Sequence, residues 1–561
     1  MRPWKAVTAA VACVVAVVAS LYVPGYLTGL LLGLTDLHVA WNTWWLYAQV
    51  LDEPAYLPYA LRIRAAGVIG ISVPTLACVG ILLLLFRSRA DSLYGEARFA
   101  QPRDLARQGM FKPSGTSLVV GKMGRKLVYM SGQQFAILAA PTRSGKGVGI
   151  VIPNLLSYPG SVVVLDIKQE NFDLTSGWRA EQGQEVHLFN PFAEDRRSSR
   201  WNPLHYVSDG VFRISDIMAL AETLYPDGSP DQKFWVSQAR NAFVAFTMYL
   251  FERRDAQRAL GRTRADAQEP TLGAVFRLSS GDGGEIKPYL ECLASQPFIG
   301  SATQNAFSNL ISQADDTFSS IMGSFREPLN MFINPVLDAA TSGNDFLLTD
   351  VRRKPMTIYI GIQPNKLAES RIIINMFFGQ LVKLNTKELP QQNPELKHQC
   401  LLLMDEFTAI GKVDIIATAV SFIAGYNLRL LPIIQSTSQL EAVYGQDVAR
   451  SFVTNHALQI VYTPREQRDA NEYSEMLGYT TVRKESTSRG RDFSRSHSDE
   501  RRALMLPQEL KAMSASKEVF FYEGIPHPVM CDKIRYYEDA FFTRRLLPKA
   551  DVRFLALPGA V

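Results

Sequence analysis

The chain has 561 residues but only five cysteines, Cys13, Cys78, Cys292, Cys400 and Cys531, and none of them forms a C-x-x-C pair. That scatter offers neither a zinc site nor a disulfide framework and reads as free thiols in a reducing compartment. Strong charge is missing as well. The formal net charge is +5, a mild basic lean that does not by itself point to nucleic acid. There is no internal repeat and no ABC-type signature. Asn365-Lys-Leu-Ala368 begins like a guanine-reading motif but lacks its aspartate, which discounts GTP. With 47% apolar and 20% charged residues the chain is a folded protein, long enough for more than one core.

Two long apolar segments open the sequence. Ala6 to Tyr22 is followed, after Pro24 and Gly25, by more apolar residues from Tyr26 to Leu34. Ala65 to Phe86 is long enough to cross a bilayer as one helix. A cleaved signal peptide is the alternative for the first segment, with Ala19-Ser20 as its small-residue site. Arg2 and Lys5 precede the pair, and Arg87, Arg89, Arg98, Arg103 and Arg107 follow it, against Arg62 and Arg64 between them. This bias predicts an uncleaved hairpin with both ends in the cytoplasm. Its loop, roughly 35–61, is rich in Trp and Tyr, which suits the headgroup level or a docking partner.

Ala140-Pro-Thr-Arg-Ser-Gly-Lys-Gly147 carries the strongest chemical signal. The apolar run Phe135 to Ala139 leads in and Val148-Gly-Ile-Val-Ile152 leads out, the layout of strand, tight turn and helix start. In such a loop backbone N–H groups hold phosphate oxygens and the lysine, here Lys146, reaches the outer phosphates. The nucleotide-binding set is therefore Ala140, Pro141, Thr142, Arg143, Ser144, Gly145, Lys146, Gly147 and Val148. Two positions depart from G-x-x-x-x-G-K-[ST]: Ala140 replaces the first glycine, and Gly147 replaces the hydroxyl that ligates Mg²⁺. Water, Thr142 or Ser144 would fill that gap. The alternative is a Gly/Ser-rich turn that binds nothing.

Strands are expected at 118–121, 126–130, 161–166, 184–189, 356–362, 400–404, 428–434 and 457–462, alternating with helices at 171–183 and 370–384. That alternation predicts an α/β fold with a mostly parallel sheet. Pro153 should kink or shorten the helix after the loop, and Pro432 suggests a bulge in its strand. From 207 to 325 strand signals fade and a helical stripe runs through Trp235, Ala239, Ala242, Phe243, Phe246 and Leu250, which reads as an inserted helical domain.

Leu401-Leu-Leu-Met-Asp-Glu406 is an apolar strand ending in two carboxylates. Asp405 would hold Mg²⁺, through water, and Glu406 would activate the attacking water. Asp166 is the rival for the metal side. Gln435 ends the strand 428–434, where it would contact a γ-phosphate or the lytic water. Arg143 and Arg429 are candidates to stabilise transition-state charge, the second from a neighbouring subunit. Arg483 to Arg502 reads as a flexible basic loop, either contacting DNA phosphates or simply solvated.

Together with Tyr94-Gly-Glu-Ala-Arg-Phe99, Asn190-Pro-Phe192, Trp201-Asn-Pro-Leu204 and Gln435-Ser-Thr-Ser-Gln-Leu440, these residues resemble the type IV secretion coupling-protein family over nearly the whole chain. The resemblance implies a RecA-like P-loop domain (91–206 and 326–561) interrupted by an all-α substrate-reading domain (207–325), behind a two-helix transmembrane hairpin (1–90). It implies an inner-membrane ATPase, hexameric, using ATP and Mg²⁺, with Lys146, Asp405, Glu406 and Gln435 catalytic. Its partners would be secretion-channel components including other secretion ATPases, protein effectors and/or relaxase-bound single-stranded DNA, and the lipid bilayer. The alternative function is a docking platform without essential hydrolysis.

Overall fold

Ser161-Val-Val-Val-Leu-Asp166 is apolar between its ends because, as a strand, it is buried on both faces. It sits deep inside an 11-stranded mixed sheet. The computed structural model describes residues 3–34, 36–86, 93–262, 267–489 and 493–557. They divide into two units, Met1–Leu93 and Tyr94–Val561.

In the first unit two helices, Pro3–Leu32 and Ala60–Phe86, pack side by side. The sequence leaves the end of the first helix open at Pro24, yet the helix runs on through it, and the Thr28 hydroxyl donates to the Pro24 carbonyl at 2.7 Å. The pair is close because glycine allows it. A Cβ on Gly70 would lie 2.7 Å from Pro24 backbone, and one on Gly67 would lie 2.1 Å from the Trp44 ring. Both helices are long and apolar enough to cross a membrane, and their outward valines and leucines are exposed. This supports membrane anchoring. Of the flanking charges, Arg2, Arg87 and Arg89 lie outside the described residues.

The second unit is built on the sheet. In chain order its strands are β1 (Leu118–Met123), β2 (Lys126–Met130), β3 (Ala136–Ala139), β4 (Ser161–Asp166), β5 (Glu185–Phe189), β6 (Met356–Gly361), β7 (Cys400–Met404), β8 (Leu428–Ile434) and β9 (Leu458–Val461). The hairpin β10 (Tyr479–Arg489) and β11 (Phe493–Ala503) follows, then β12 (Lys517–Tyr522) and β13 (Val529–Asp532). Across the sheet the order is β2-β1-β13-β12-β9-β3-β8-β7-β4-β6-β5. The run from β9 to β5 is parallel, and the wing from β12 outward is antiparallel. Every predicted strand is present; β10, β11, β12 and β13 are additional.

Pro432 does not cause a bulge. The β7–β8 register runs unbroken and Pro432 faces Met404, the last residue of β7, where a missing N–H costs the ladder least. Pro153 stands in the first turn of the short helix Ile152–Ser157, preceded by a widened turn, Gly147–Val151, whose five-residue bond runs from Ile152 N–H to Gly147. The proline thus shortens the regular helix, and the wide turn takes up the mismatch.

Between β5 and β6 the chain is helical from Arg213–Leu224 to Pro335–Ala340. Ala239, Ala242, Phe243, Phe246 and Leu250 of the long helix Lys233–Ala259 are buried, and Phe246 stacks on Phe325 at 5.1 Å. One apolar core continues from the sheet into these helices. The segment expected as a flexible basic loop is instead the antiparallel hairpin β10–β11, registered from Tyr479↔Ala503 outward. Arg483 pairs with Asp499, and Arg501 lies 3.5 Å over the Tyr479 ring, so cross-strand contacts order a polar sequence. Residues 490–492 lie outside the described residues.

Candidate nucleotide site

Parallel strands deliver their following loops to one edge of a sheet, and here β3, β8 and β7 are neighbours in that order. The loop Ala140–Val148, the residue Gln435 and the pair Asp405–Glu406 therefore converge. Ala140 donates its N–H to Ile434 at 2.9 Å, locking the loop's start to the end of β8. Arg143 (φ 61°) and Gly145 (φ 87°) take left-handed conformations that reverse the chain. Space is open around the missing Cβ atoms of both Gly145 and Gly147.

Lys146 Nζ lies 2.5 Å from Glu406 Oε1 and 4.0 Å from Asp405 Oδ1. Gln435 joins the halves of the site: its Nε2 donates to Glu406 Oε2 at 3.0 Å, and its Oε1 accepts from the Thr142 hydroxyl at 3.1 Å. Glu406 sits at φ 52°, ψ 45°, a left-handed position that a non-glycine residue holds only when its surroundings enforce it. Burial opposes its charge, but bonds from Lys146 and Gln435 and the Lys146 and Lys168 charges prevail and hold the carboxyl below its usual range. Burial raises Asp405, against the Lys146 charge, with Glu406 adding to the rise. Its Oδ1 accepts the Glu406 N–H at 3.0 Å.

A phosphate fits this arrangement on its own terms. Among the described residues the buried Ser144 hydroxyl has no hydrogen-bond partner, and Lys146 is satisfied only by its ion pairs. Gly147 leaves the metal shell short of a hydroxyl, and Thr142 is engaged with Gln435. Mg²⁺ needs few protein ligands when phosphates and waters supply the rest, so a site offering Asp405 alone would still fit the ion. A cavity of about 420 Å³ adjoins the loop, lined by Thr142, Gln435, Arg465, Glu466 and Tyr473 among others.

Two expected candidates have other duties. Asp166 is buried at the end of β4, where it accepts from Phe172 N–H at 2.8 Å and from the Asn171 amide at 3.2 Å, and so anchors the helix Glu170–Glu181. Burial carries its carboxyl up to about 7. Arg429 cannot serve a neighbouring subunit. It is fully buried in β8, with its guanidinium donating to the carbonyls of Gln134, Thr116 and Met130. Arg143 is exposed on the loop itself.

Some residues at the site have no signal in the linear sequence. Arg465 donates to the Thr142 carbonyl at 2.9 Å, and Lys533 donates to the Ser144 carbonyl at 3.2 Å. Lys533 comes from the end of β13, and only the antiparallel wing brings it here.

Residues 90–553 match the family model for conjugative DNA transfer by the type IV secretory system. The chain is 29% identical to protein VirD4 of Rhizobium radiobacter over 517 residues, covering 89% of this chain and 72% of that one. It is 27% identical over 568 residues to the conjugal transfer protein TraG of Escherichia coli, covering 90% and 87%. Among solved structures it resembles the plasmid coupling protein TrwB bound to the ATP analogue ADPNP, with a TM-score of 0.55 and 16% identity over 80% of this chain and 96% of that one. TrwB with ADP and Mg²⁺ gives 0.53 and 17% over 79% and 94%. At such identity the likeness is one of fold.

Proposed function

Because the chain belongs to the type IV secretory conjugative DNA transfer family, we propose that it is a membrane-anchored, ATP-hydrolysing coupling protein that recruits cargo and passes it to a secretion channel. The observation that carries this reading is the convergence of Lys146 and Gln435 on Glu406, each within hydrogen-bonding distance of its carboxylate. TrwB, which shares the fold, has been solved with an ATP analogue and with ADP and Mg²⁺, and this supports the same ligands here.

In this reading the loop amides and Lys146 hold the phosphates, and Asp405 holds Mg²⁺ through water. When bound, MgATP supplies the phosphoanhydride and the metal's charge neutralisation. Lys146 exchanges its bond to Glu406 for the phosphates. Glu406 is thereby released to accept a proton from water, while Gln435 keeps its carboxylate aimed by holding Oε2. Gln435 also links Glu406 to the loop through Thr142, so movement of the loop reaches the base directly. The helical region between β5 and β6 is the cargo reader, taking nucleoprotein, effectors or both. The chain works as a hexamer in the bacterial inner membrane, with Tyr94–Val561 in the cytoplasm.

The test is phosphate release by the full chain in detergent or nanodiscs, compared with Lys146→Ala. Turnover that falls to background in the variant, with secretion lost and membrane insertion intact, supports the motor. One feature favours the alternative of a non-hydrolysing docking platform, namely the absence of a metal-binding hydroxyl at Gly147. Full secretion by both Lys146→Ala and Glu406→Gln would establish that alternative.

A further inference from the structure

We propose that Lys533 is a positioning residue for the phosphate loop, a clamp that fixes the Ser144–Gly145 peptide from behind; this rests on the reading that the loop binds phosphate. Lys533 follows β13 directly, and its Nζ donates to the Ser144 carbonyl at 3.2 Å. The same ammonium stands 3.7 Å from the centre of the Tyr462 ring. Tyr462 is itself tied to the strand that feeds the loop, for its N–H donates to the Ala139 carbonyl at 2.9 Å. Its hydroxyl lies where a side chain at Gly149 would begin, 2.3 Å from the position of an added Cβ. Lys533 and Tyr462 thus touch the strand before the loop, the loop itself and the helix after it.

The clamp is built into the wing as a polar set. Glu518 of β12 is fully buried and accepts from the Cys531 thiol at 3.3 Å. Gly121 of β1 leaves room for both, since a Cβ there would meet Glu518 Oε1 at 2.2 Å and Cys531 Sγ at 2.6 Å. Burial pushes the Glu518 carboxyl up to about 8 and the Lys533 ammonium down to about 8, with the Glu518 charge partly opposing the second shift. A wing whose only task is to cover the sheet edge is better served by apolar side chains, because burying polar groups such as these costs free energy.

The consequence for the loop follows from peptide geometry. In a planar trans peptide the C=O and N–H point in opposite directions. Holding the Ser144 carbonyl toward Lys533 turns the Gly145 N–H away from it. Gly145, at φ 87° and with open space around it, offers no steric resistance to rotation of that peptide. Lys533 supplies the resistance. A loop lacking the usual hydroxyl at position 147 has one anchor fewer once nucleotide is bound, which gives this clamp more to do.

The test uses the full chain in detergent micelles with Lys533→Met, Lys533→Arg and Tyr462→Leu. Hydrogen exchange of the segment 140–149 is measured without nucleotide, and KM and kcat for MgATP are measured in parallel. In Lys533→Met the segment should exchange faster while β4 and β7 stay protected, and KM should rise about tenfold with kcat within about twofold. Lys533→Arg, which keeps a donor, should restore most of the affinity. Should Lys533→Met fail to fold, Tyr462→Leu should give the same selective exchange. Wild-type exchange in 140–149 overturns the clamp, as does a uniform loss of protection across the sheet. If the wild type binds no MgATP the proposed function fails, and the exchange result still decides the clamp.

Discussion

Replacing Glu406 with glutamine should tighten nucleotide binding and abolish turnover together. Lys146 and Glu406 form a close pair at 2.5 Å, with side chains only 12% and 17% exposed. Nucleotide must break that pair. Lys146 stays charged in the variant and keeps a charge-assisted hydrogen bond, so only the ion-pair attraction is lost, on the order of 1 kcal/mol for a pair that water still reaches, and the cost of release falls by about that much. At 1.4 kcal/mol per tenfold, that is roughly fivefold tighter binding. Glutamine still fits between Lys146 and Gln435 but takes no proton, and loss of a general base costs ~10²–10⁴ in rate. The assay is calorimetric titration of wild type and Glu406→Gln with a non-hydrolysable ATP analogue, beside steady-state phosphate release. Weaker analogue binding by the variant would mean that Glu406 does not compete for Lys146. Turnover within about threefold of wild type would remove Glu406 as the base.

Two further predictions separate structural from catalytic residues. Arg429→Met should lower stability by on the order of 3 kcal/mol, since three backbone carbonyls lose a charged donor; denaturant melts should report this, while turnover per folded molecule stays unchanged. His456 should make the fold acid-sensitive. Burial lowers its pKa to about 4, against an ordinary 6.5, with the Phe452 carbonyl partly opposing. The unfolded chain therefore takes up the proton first. The contribution is complete above the unfolded value and is lost as pH falls from 6.5 toward 4, at about 1.4 kcal/mol per pH unit. Urea midpoints at about pH 7 and about pH 5.5 should diverge less in His456→Asn than in wild type, and equal divergence would exonerate the histidine.

The parallel part of the sheet was legible because its strands are short continuous apolar runs, which buried strands require. β4, β6, β7 and β8 each read that way and are buried throughout. The antiparallel wing was harder. β13 pairs with β1 across some four hundred residues, and no local pattern announces such a partner. The hairpin β10–β11 was misread for another reason. Its strands are joined by a continuous backbone ladder from Tyr479↔Ala503 to Arg489↔Phe493 without apolar alternation, so serine and arginine content suggested a loop. Pro432 misled because a proline's cost depends on where along the ladder it falls, and here it faces the last residue of β7.

The site was legible to the extent that its chemistry lies in loops just after strands. Lys146, Asp405, Glu406 and Gln435 each follow an apolar run, and a parallel sheet brings such positions to one edge whatever the distance between them in the chain. Arg429 illustrates the converse. It lies within a strand, so its side chain had to point into a layer, and a guanidinium there survives only by binding backbone carbonyls. The residues that brace the loop from behind were hidden because nothing about a lysine after a short strand marks it as facing the loop Ala140–Val148. The sheet edge thus divides the labour. Groups proposed to meet phosphate come from parallel strands and can be read from sequence. Groups that fix the loop come from the antiparallel wing, and their role follows only from where Lys533 and Tyr462 are placed.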